Sequence, residues 1–540
     1  MRFQRIIQIP LFIVFVLLIL LASHPVPEYL EVDVFLRLDP LISLGSMAAT
    51  RAFIPKAALA LLVLLCALLL GRIFCGYICP MGATIDFADK LLLRKKPEEN
   101  SPERDGAYRH FKYLFLAGLA GSAVLGISWV FFFSPLSLAT RFFSLVVQPV
   151  IMLFGNFLLD AARPLLIHVG LDHLAMVHWA MPRYNTNMFV AFFVFGILSF
   201  GLIRPRFWCR NLCPAGAIVA LFSMRPFFRR TVSDQCSRCG RCARECPMGA
   251  ISESFTLTSY SECVACLRCR EICPEKAISF KWSGNPDSAK AAVNLSRRKI
   301  LKAGAVGMAG AAVTMTGLKH LHGGEEPRPL KSSNLIRPPG ALPEVEFQAR
   351  CVRCGECSKA CPTNTLQPVW LVAGISGLFS PCVTPRIGGC EQECNLCGRV
   401  CPTGAIRPID IQEKIFAKIG TARIIKSRCI AWEQDRKCLI CDEICPYNAI
   451  TSRLAADHPV TVPVIDEKRC NGCGYCENKC PVEGESAIVV ESAGEIRLSK
   501  GSYRKEAERL GLIFHSEAGQ EDHVFEDPQK TLPPGFEESR

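Results

Sequence analysis

No glycine-rich nucleotide loop, flavin fingerprint, C-x-x-C-H haem site or hydrolase triad occurs in the 540 residues, which excludes the commonest group-transfer and hydrolytic chemistries. There is no single basic stripe either. The net charge of +13 is scattered over hydrophobic flanks and Cys-rich loops, which argues against nucleic acid as a partner. No sensory or DNA-binding module is visible. Polar residues are too few for a disordered or wholly soluble chain, since half of the positions are hydrophobic and mean hydropathy is positive. Cysteine is what the chain has in excess. Thirty Cys are too sparse for a small disulfide scaffold and far too many for ordinary usage, so something binds the thiols.

Residues 6–22 are almost unbroken hydrocarbon, and at about 1.5 Å per residue they nearly span an apolar core of about 30 Å. His24-Pro25-Val26-Pro27-Glu28 follows instead of an A-x-A cleavage site, which favours a retained helix over a signal peptide. Further spans are expected at 52–74, 112–133 and 187–204. Residues 142–159 are apolar too, but Gln148, Pro149, Asn156 and Asp160 interrupt them, which is costly in lipid without partners. Lys90, Arg94, Lys95, Lys96, Arg104 and Arg109 follow the second span, and Arg204, Arg206, Arg210, Arg225, Arg229 and Arg230 surround the end of the last. With both flanks cytoplasmic the crossings are even in number, so 142–159 is read as interfacial or re-entrant on the outer side, against a fifth span as the rival.

The spacing C-x2-C-x2-C-x3-C-P occurs at Cys236, Cys239, Cys242, Cys246; at Cys263, Cys266, Cys269, Cys273; at Cys351, Cys354, Cys357, Cys361; and at Cys470, Cys473, Cys476, Cys480. Two variants keep the same ending: Cys390, Cys394, Cys397, Cys401, with one extra residue in the first gap, and Cys429, Cys438, Cys441, Cys445, with a long one. Three thiolates on a tight loop hold three irons of a 4Fe-4S cubane, and the fourth reaches a neighbouring cluster. Zinc is the rival, but zinc modules usually show two separated C-x2-C pairs. Six clusters are therefore expected. Twenty-four thiolates and six doubly positive cores sum to about −12, which nearly cancels the +13 of the chain. Arg238, Arg241, Arg244, Arg268, Arg270, Arg353 and Arg399 lie in or beside these loops, where each could raise a cluster's potential; for any one of them a solvated surface charge is the blander reading. In the first pair Cys236, Cys239 and Cys242 are assigned with Cys273, and Cys263, Cys266 and Cys269 with Cys246. Among the last four quartets nested and sequential pairing compete, and Cys382 is an alternative to Cys390.

Two further motifs, GRIFCGYICPMGA (Cys75, Cys79) and RFWCRNLCPAGA (Cys209, Cys213), each end a span on the cytoplasmic side. Two thiols at i and i+4 share a helical face and suit a shared metal, a redox pair or a contact with a quinone head group; a structural turn at the helix exit is the alternative. Cys66, alone within a span, reads as an inert thiol. Residues 296–318 carry paired Arg297 and Arg298, Lys302 and an Ala/Gly-rich apolar stretch, as a twin-arginine signal does, and are expected to stay as a transmembrane anchor. A Pro-rich linker from Pro327 to Pro343 is expected to be extended, and the charged tail after 501 poorly ordered.

On these motifs, with DPLISLG and SPLSLATRFF, residues 1–283 resemble the NapH-type membrane ferredoxin, and residues 296–492, with CPVEGESAI, look like the NapG/MauM-type exported ferredoxin. The resemblance implies a fusion of two usually separate subunits that oxidises quinol and delivers electrons to a periplasmic partner such as a c-type cytochrome or a molybdenum reductase. The fold class expected is an α-helical polytopic membrane domain plus α+β bacterial-type ferredoxin domains, one with two clusters and one with four. Its divisions are a membrane domain (1–230), a two-cluster domain (231–283), a twin-arginine anchor (284–325), a four-cluster domain (326–500) and a charged tail (501–540). The bacterial cytoplasmic membrane is the expected location, multi-pass, with the first ferredoxin domain cytoplasmic and the second periplasmic. The competing reading is a maturation factor that binds or reduces copper or another metal at the CxxxCP thiols. No motif marks a quinol pocket; Asp160, Arg163, His168 and His173 are weak candidates.

Overall fold

The computed structural model describes residues 3–23, 31–92, 102–127, 129–179, 181–282, 296–316, 334–370, 374–455 and 458–514. His24 to Glu28, Arg94 to Lys96, the first part of the 327–343 linker and the tail from 515 lie outside the described residues.

A helical bundle is built from α1 (Phe3–Leu21), α2 (Pro40–Thr50), α3 (Leu59–Leu70), α4 (Pro80–Leu92), α5 (Pro102–Val124), α6 (Pro135–His168), α7 (Asn187–Ser199) and α8 (Pro214–Phe222). Proline opens five of these, where its missing N–H is no loss and its fixed φ suits the first turn. Asp39 and Ser134 cap α2 and α6 by accepting from the backbone N–H of Leu41 (2.8 Å) and Ser137 (3.2 Å). By length and composition α1 and α6 are long and apolar enough to cross a bilayer; among the described residues the other apolar helices are shorter.

Within three of the expected spans the helices take other bounds. The 52–74 stretch stops being α-helical at Gly71, whose φ of +80° favours glycine, and the 112–133 stretch breaks at Gly126, with φ +83°. The 187–204 stretch is α-helical only to Ser199. The polar residues expected to interrupt 142–159 do not break the helix, because each has a partner or a tolerated position. Gln148 donates to Ser23 (3.2 Å), Asn156 donates to the carbonyl of Trp179 (2.8 Å), Asp160 pairs with Arg163 (2.8 Å), and Pro149 follows a π-turn at Phe143–Val147.

Two cysteine-rich modules dock at opposite ends of α1. At its start the backbone N–H of Phe3 donates to Glu271 (3.2 Å) and Gln4 donates to the Gly76 carbonyl (2.9 Å). Just past its end Ala22 packs with Ala360, Leu396 and Val400 of the second module. Residues 145–183 leave and return at this second end: Leu145 packs on Gly355, and the Arg183 carbonyl accepts from Asn364 and Gln367, both at 2.9 Å.

The modules repeat one plan three times. β1 (Phe228–Val232) pairs antiparallel with β2 (Ile278–Trp282) around an inner bridge, Ile251 to Thr258. In the second module the bridge Ala341 to Ile406 encloses the pair β3 (Leu366–Pro368) and β4 (Pro381–Val383). Then β5 (Thr421–Ile424) pairs with β8 (Ile488–Glu491) around the hairpin of β6 (Ile450–Leu454) and β7 (Thr461–Ile465). The expected four-cluster domain is thus two units in series.

Helix α9 (Arg297–Thr316) lies along α5 through facing glycines: a Cβ on Gly307 would stand 1.8 Å from the Gly118 carbonyl oxygen, and one on Gly121 2.3 Å from that of Gly304. Two boundaries are also corrected. Residues 334–343, expected as extended linker, are built into the second module, with Ile336 fully buried and Arg337 paired to Glu344 (2.6 Å). The expected tail begins with α10 (Tyr503–Arg509), whose Tyr503 and Ala507, four residues apart, are both buried in the core with Phe514.

Candidate metal centres

Each unit brings its cysteines into two groups of four. In the first, Cys246 shares a cavity with Cys263, Cys266 and Cys269, and Cys236, Cys239 and Cys242 form the other loop, with Cys242 packed near Cys273. In the second, Cys401 stands with Cys351, Cys354 and Cys357, and Cys361 with Cys390, Cys394 and Cys397. In the third, Cys480 shares a cavity with Cys429, Cys438 and Cys441, and Cys445 with Cys470, Cys473 and Cys476. The exchange of fourth cysteines is sequential throughout. Cys382 lies apart in β4, where its thiol donates to the Val383 carbonyl (3.4 Å).

The donor set suits iron–sulfur cores better than single ions. No carboxylate or imidazole lines the cavities at Cys246, Cys445 and Cys480. A tetrahedral zinc about 2.3 Å from each sulfur would draw the sulfurs to within about 4 Å of each other. Among the described residues no three Cys, His, Asp or Glu side chains converge as a single ion requires; the thiols ring open space instead. Burial and neighbouring sulfurs push the thiols of Cys357, Cys473 and Cys476 up. Backbone N–H groups already aim at sulfur: Ala250 at Cys246 (3.3 Å), Ala422 at Cys470 (3.3 Å), Ala449 at Cys445 (3.4 Å) and Ile406 at Cys401 (3.5 Å). Arg230, on β1, reaches Cys242 at 3.6 Å.

Successive sites abut. The Cys390 N–H donates to the Cys473 carbonyl (2.7 Å), which joins the second unit to the third, and Arg386 clamps the same joint through the carbonyls of Glu477, Cys480 and Val482. At the bundle, Ser137 donates to the Val352 carbonyl and Arg141 to the Arg353 carbonyl, both at 2.8 Å. Arg353, read from sequence as a surface charge, is 6 % exposed and donates to the Ser376 carbonyl (2.5 Å).

The two CxxxCP motifs, 134 residues apart in sequence, meet: Cys75, Cys79, Cys209 and Cys213 line one cavity with Phe74, Met81 and Trp208. Each motif is a π-turn, Phe74–Ile78 or Trp208–Leu212, closed by an extended cysteine before a proline-opened helix. Arg72 donates to the Cys209 carbonyl and Arg206 to the Cys75 carbonyl, both at 3.3 Å, so each motif is braced by the other's arginine. Glu262 (2.9 Å) and Asp86 (2.6 Å) hold these buried guanidinium groups, and Lys112 also pairs with Glu262 (2.7 Å). The repeated Arg three residues before each first Cys was the signal in the sequence; its reciprocal use and the acidic partners were not readable there. Asp160, Arg163, His168 and His173 are not gathered into a site: the first two form an exposed pair and the histidines are exposed.

Three cysteine-rich units closed by antiparallel pairs, with thiols as donors, define an iron–sulfur electron-transfer protein of the ferredoxin type. Family models agree: a 4Fe-4S binding domain matches residues 57–98 and another 345–367, an LdpA Fe-S cluster-binding domain matches 204–257, and a 4Fe-4S dicluster domain matches 436–483. The chain belongs to the family of MauM and NapG ferredoxin-type proteins. It is 35 % identical over 160 residues to the methylamine utilization ferredoxin-type protein MauM of Paracoccus denitrificans, covering 29 % of this chain and 70 % of the relative. To the ferredoxin-type protein NapG of Escherichia coli it is 32 % identical over 174 residues, 31 % and 73 % respectively. To NapG of Haemophilus influenzae it is 31 % identical over 241 residues, covering 43 % and 82 %. No solved structure matches the chain.

Proposed function

We propose that this chain is a membrane-embedded electron relay, a NapH-like half fused through a twin-arginine segment to a NapG/MauM-like half. Its six regular and variant quartets hold six 4Fe-4S clusters, three thiols from each loop with the fourth of its neighbour. Quinol is the electron source, and a periplasmic redox partner, a c-type cytochrome or molybdenum reductase, is the destination. The observation that carries the reading is the docking of the two cysteine-rich modules at opposite ends of the apolar α1. At about 1.5 Å per residue, its 19 residues separate the ends by nearly the thickness of a bilayer core. The basic residues around 204–230 favour the first module on the cytoplasmic side.

Two measurements test it. With the chain in lipid, a menaquinol or ubiquinol analogue is expected to reduce a fraction of the clusters that dithionite reduces; no reduction by either quinol removes the quinol source. In spheroplasts, protease added outside is expected to reach residues 334–514 and spare 228–282. Protection of both modules removes the transmembrane arrangement.

A further inference from the structure

We infer that Cys75, Cys79, Cys209 and Cys213 jointly hold a seventh 4Fe-4S cluster, placed between the two cysteine-rich modules. The 4Fe-4S model that matches 57–98 brings Cys75 and Cys79 to the cavity, which is half of a ligand set, while its third cysteine, Cys66, does not line it; the cavity supplies the other half from Cys209 and Cys213. Like the cavities at Cys246, Cys445 and Cys480, it is lined by four thiols and apolar groups, with no carboxylate or imidazole. The same N–H to sulfur pattern recurs, with Gly216 donating to Cys213 at 3.2 Å. Four thiolates around a doubly positive core leave about −2, and the two buried guanidinium groups of Arg72 and Arg206 flank that charge from opposite motifs.

Position gives the site its use. On one side Gly76, between the two thiols of the first motif, is so close to Val264 that a Cβ would lie 3.0 Å from its carbonyl oxygen, and Val264 follows Cys263. On the other side the cavity wall includes Pro135, and two residues on Ser137 donates to Val352, between Cys351 and Cys354. Bound there, the cluster supplies a one-electron carrier: it accepts one electron from a reduced neighbour, which is thereby oxidised, and passes it on with no bond made or broken. The inference rests on the relay reading for its use and on geometry for its existence.

Iron and acid-labile sulfide analysis of the anaerobically purified full chain, with Mössbauer spectra, tests it. The intact chain is expected to hold about 28 irons and as many sulfides, against about 24 if only the six quartets are loaded. Cys75→Ser with Cys209→Ser is expected to lose about four of each, while Cys66→Ser loses none. About 24 irons in the intact chain, unchanged in the double variant, overturns the seventh site and leaves the six-cluster relay standing; copper or zinc bound by these four thiols also overturns it. A chain devoid of iron defeats both readings. The stoichiometry of the intact chain decides the matter even where the variant fails to fold.

Discussion

Glu262 is fully buried between Arg72 and Lys112, and its removal would leave two cations without a counter-charge in the interior. Glu262→Ala is expected to destabilise the junction of bundle and first module by about 3–5 kcal/mol, read as a lower thermal midpoint. Asp89 behaves in the opposite sense. Burial, with the charge of Asp86 adding to it, pushes its carboxyl up to about 6, although the Arg206 N–H donates to it at 2.8 Å. A carboxyl raised above its unfolded value opposes folding once ionised, so its penalty grows from about pH 4 to pH 6 and is complete above that. Asp89→Asn is therefore expected to be the more stable chain at pH 7.5, by about 1–3 kcal/mol, with the gap narrowing towards pH 5. A thermal midpoint difference independent of pH would contradict this. The cysteines themselves were legible because their spacing is local; the acids that steady Arg72 and Arg206 were not, because Arg72 and Glu262 are 190 positions apart.

At the scale of elements, α9 is held to α5 by carbonyl–glycine contacts that leave no room for a side chain. Gly307→Leu is expected to separate the two helices, seen as faster amide exchange over Arg297–Thr316, whereas Gly310→Ala, with nothing within 4 Å, should leave exchange unchanged or slower. Tyr503→Ala, at the buried face of α10, is expected to lower the stability of the third unit by about 3 kcal/mol. Hydrophobic runs marked where the helices lie but not how they end, since Gly71 and Gly126 break apolar stretches that composition alone reads as continuous. The pairing of the last four quartets stayed open in the sequence for a related reason. It is decided by which strands close on which, and β5 finds β8 across the intervening β6–β7 hairpin, a non-local choice.

For the whole molecule the joint between bundle and second module rests on buried side chains. Arg141 reaches the Arg353 carbonyl and lies 4.9 Å over the Phe379 ring, so Arg141→Ala is expected to weaken docking by about 1–3 kcal/mol. Clusters of the second module should then fill normally but be reduced more slowly through the first; an unchanged rate would show that electrons enter the second module elsewhere. The exchanged arginines of the two π-turns bear on biogenesis. While the ribosome has made only the earlier turn, Arg72 has no Cys209 carbonyl to bind and Cys75 lacks the donor of Arg206. A truncated product ending before residue 206 would display an unmatched guanidinium and two thiols without their partner turn, so the four-thiol cavity can close only after both turns have left the tunnel.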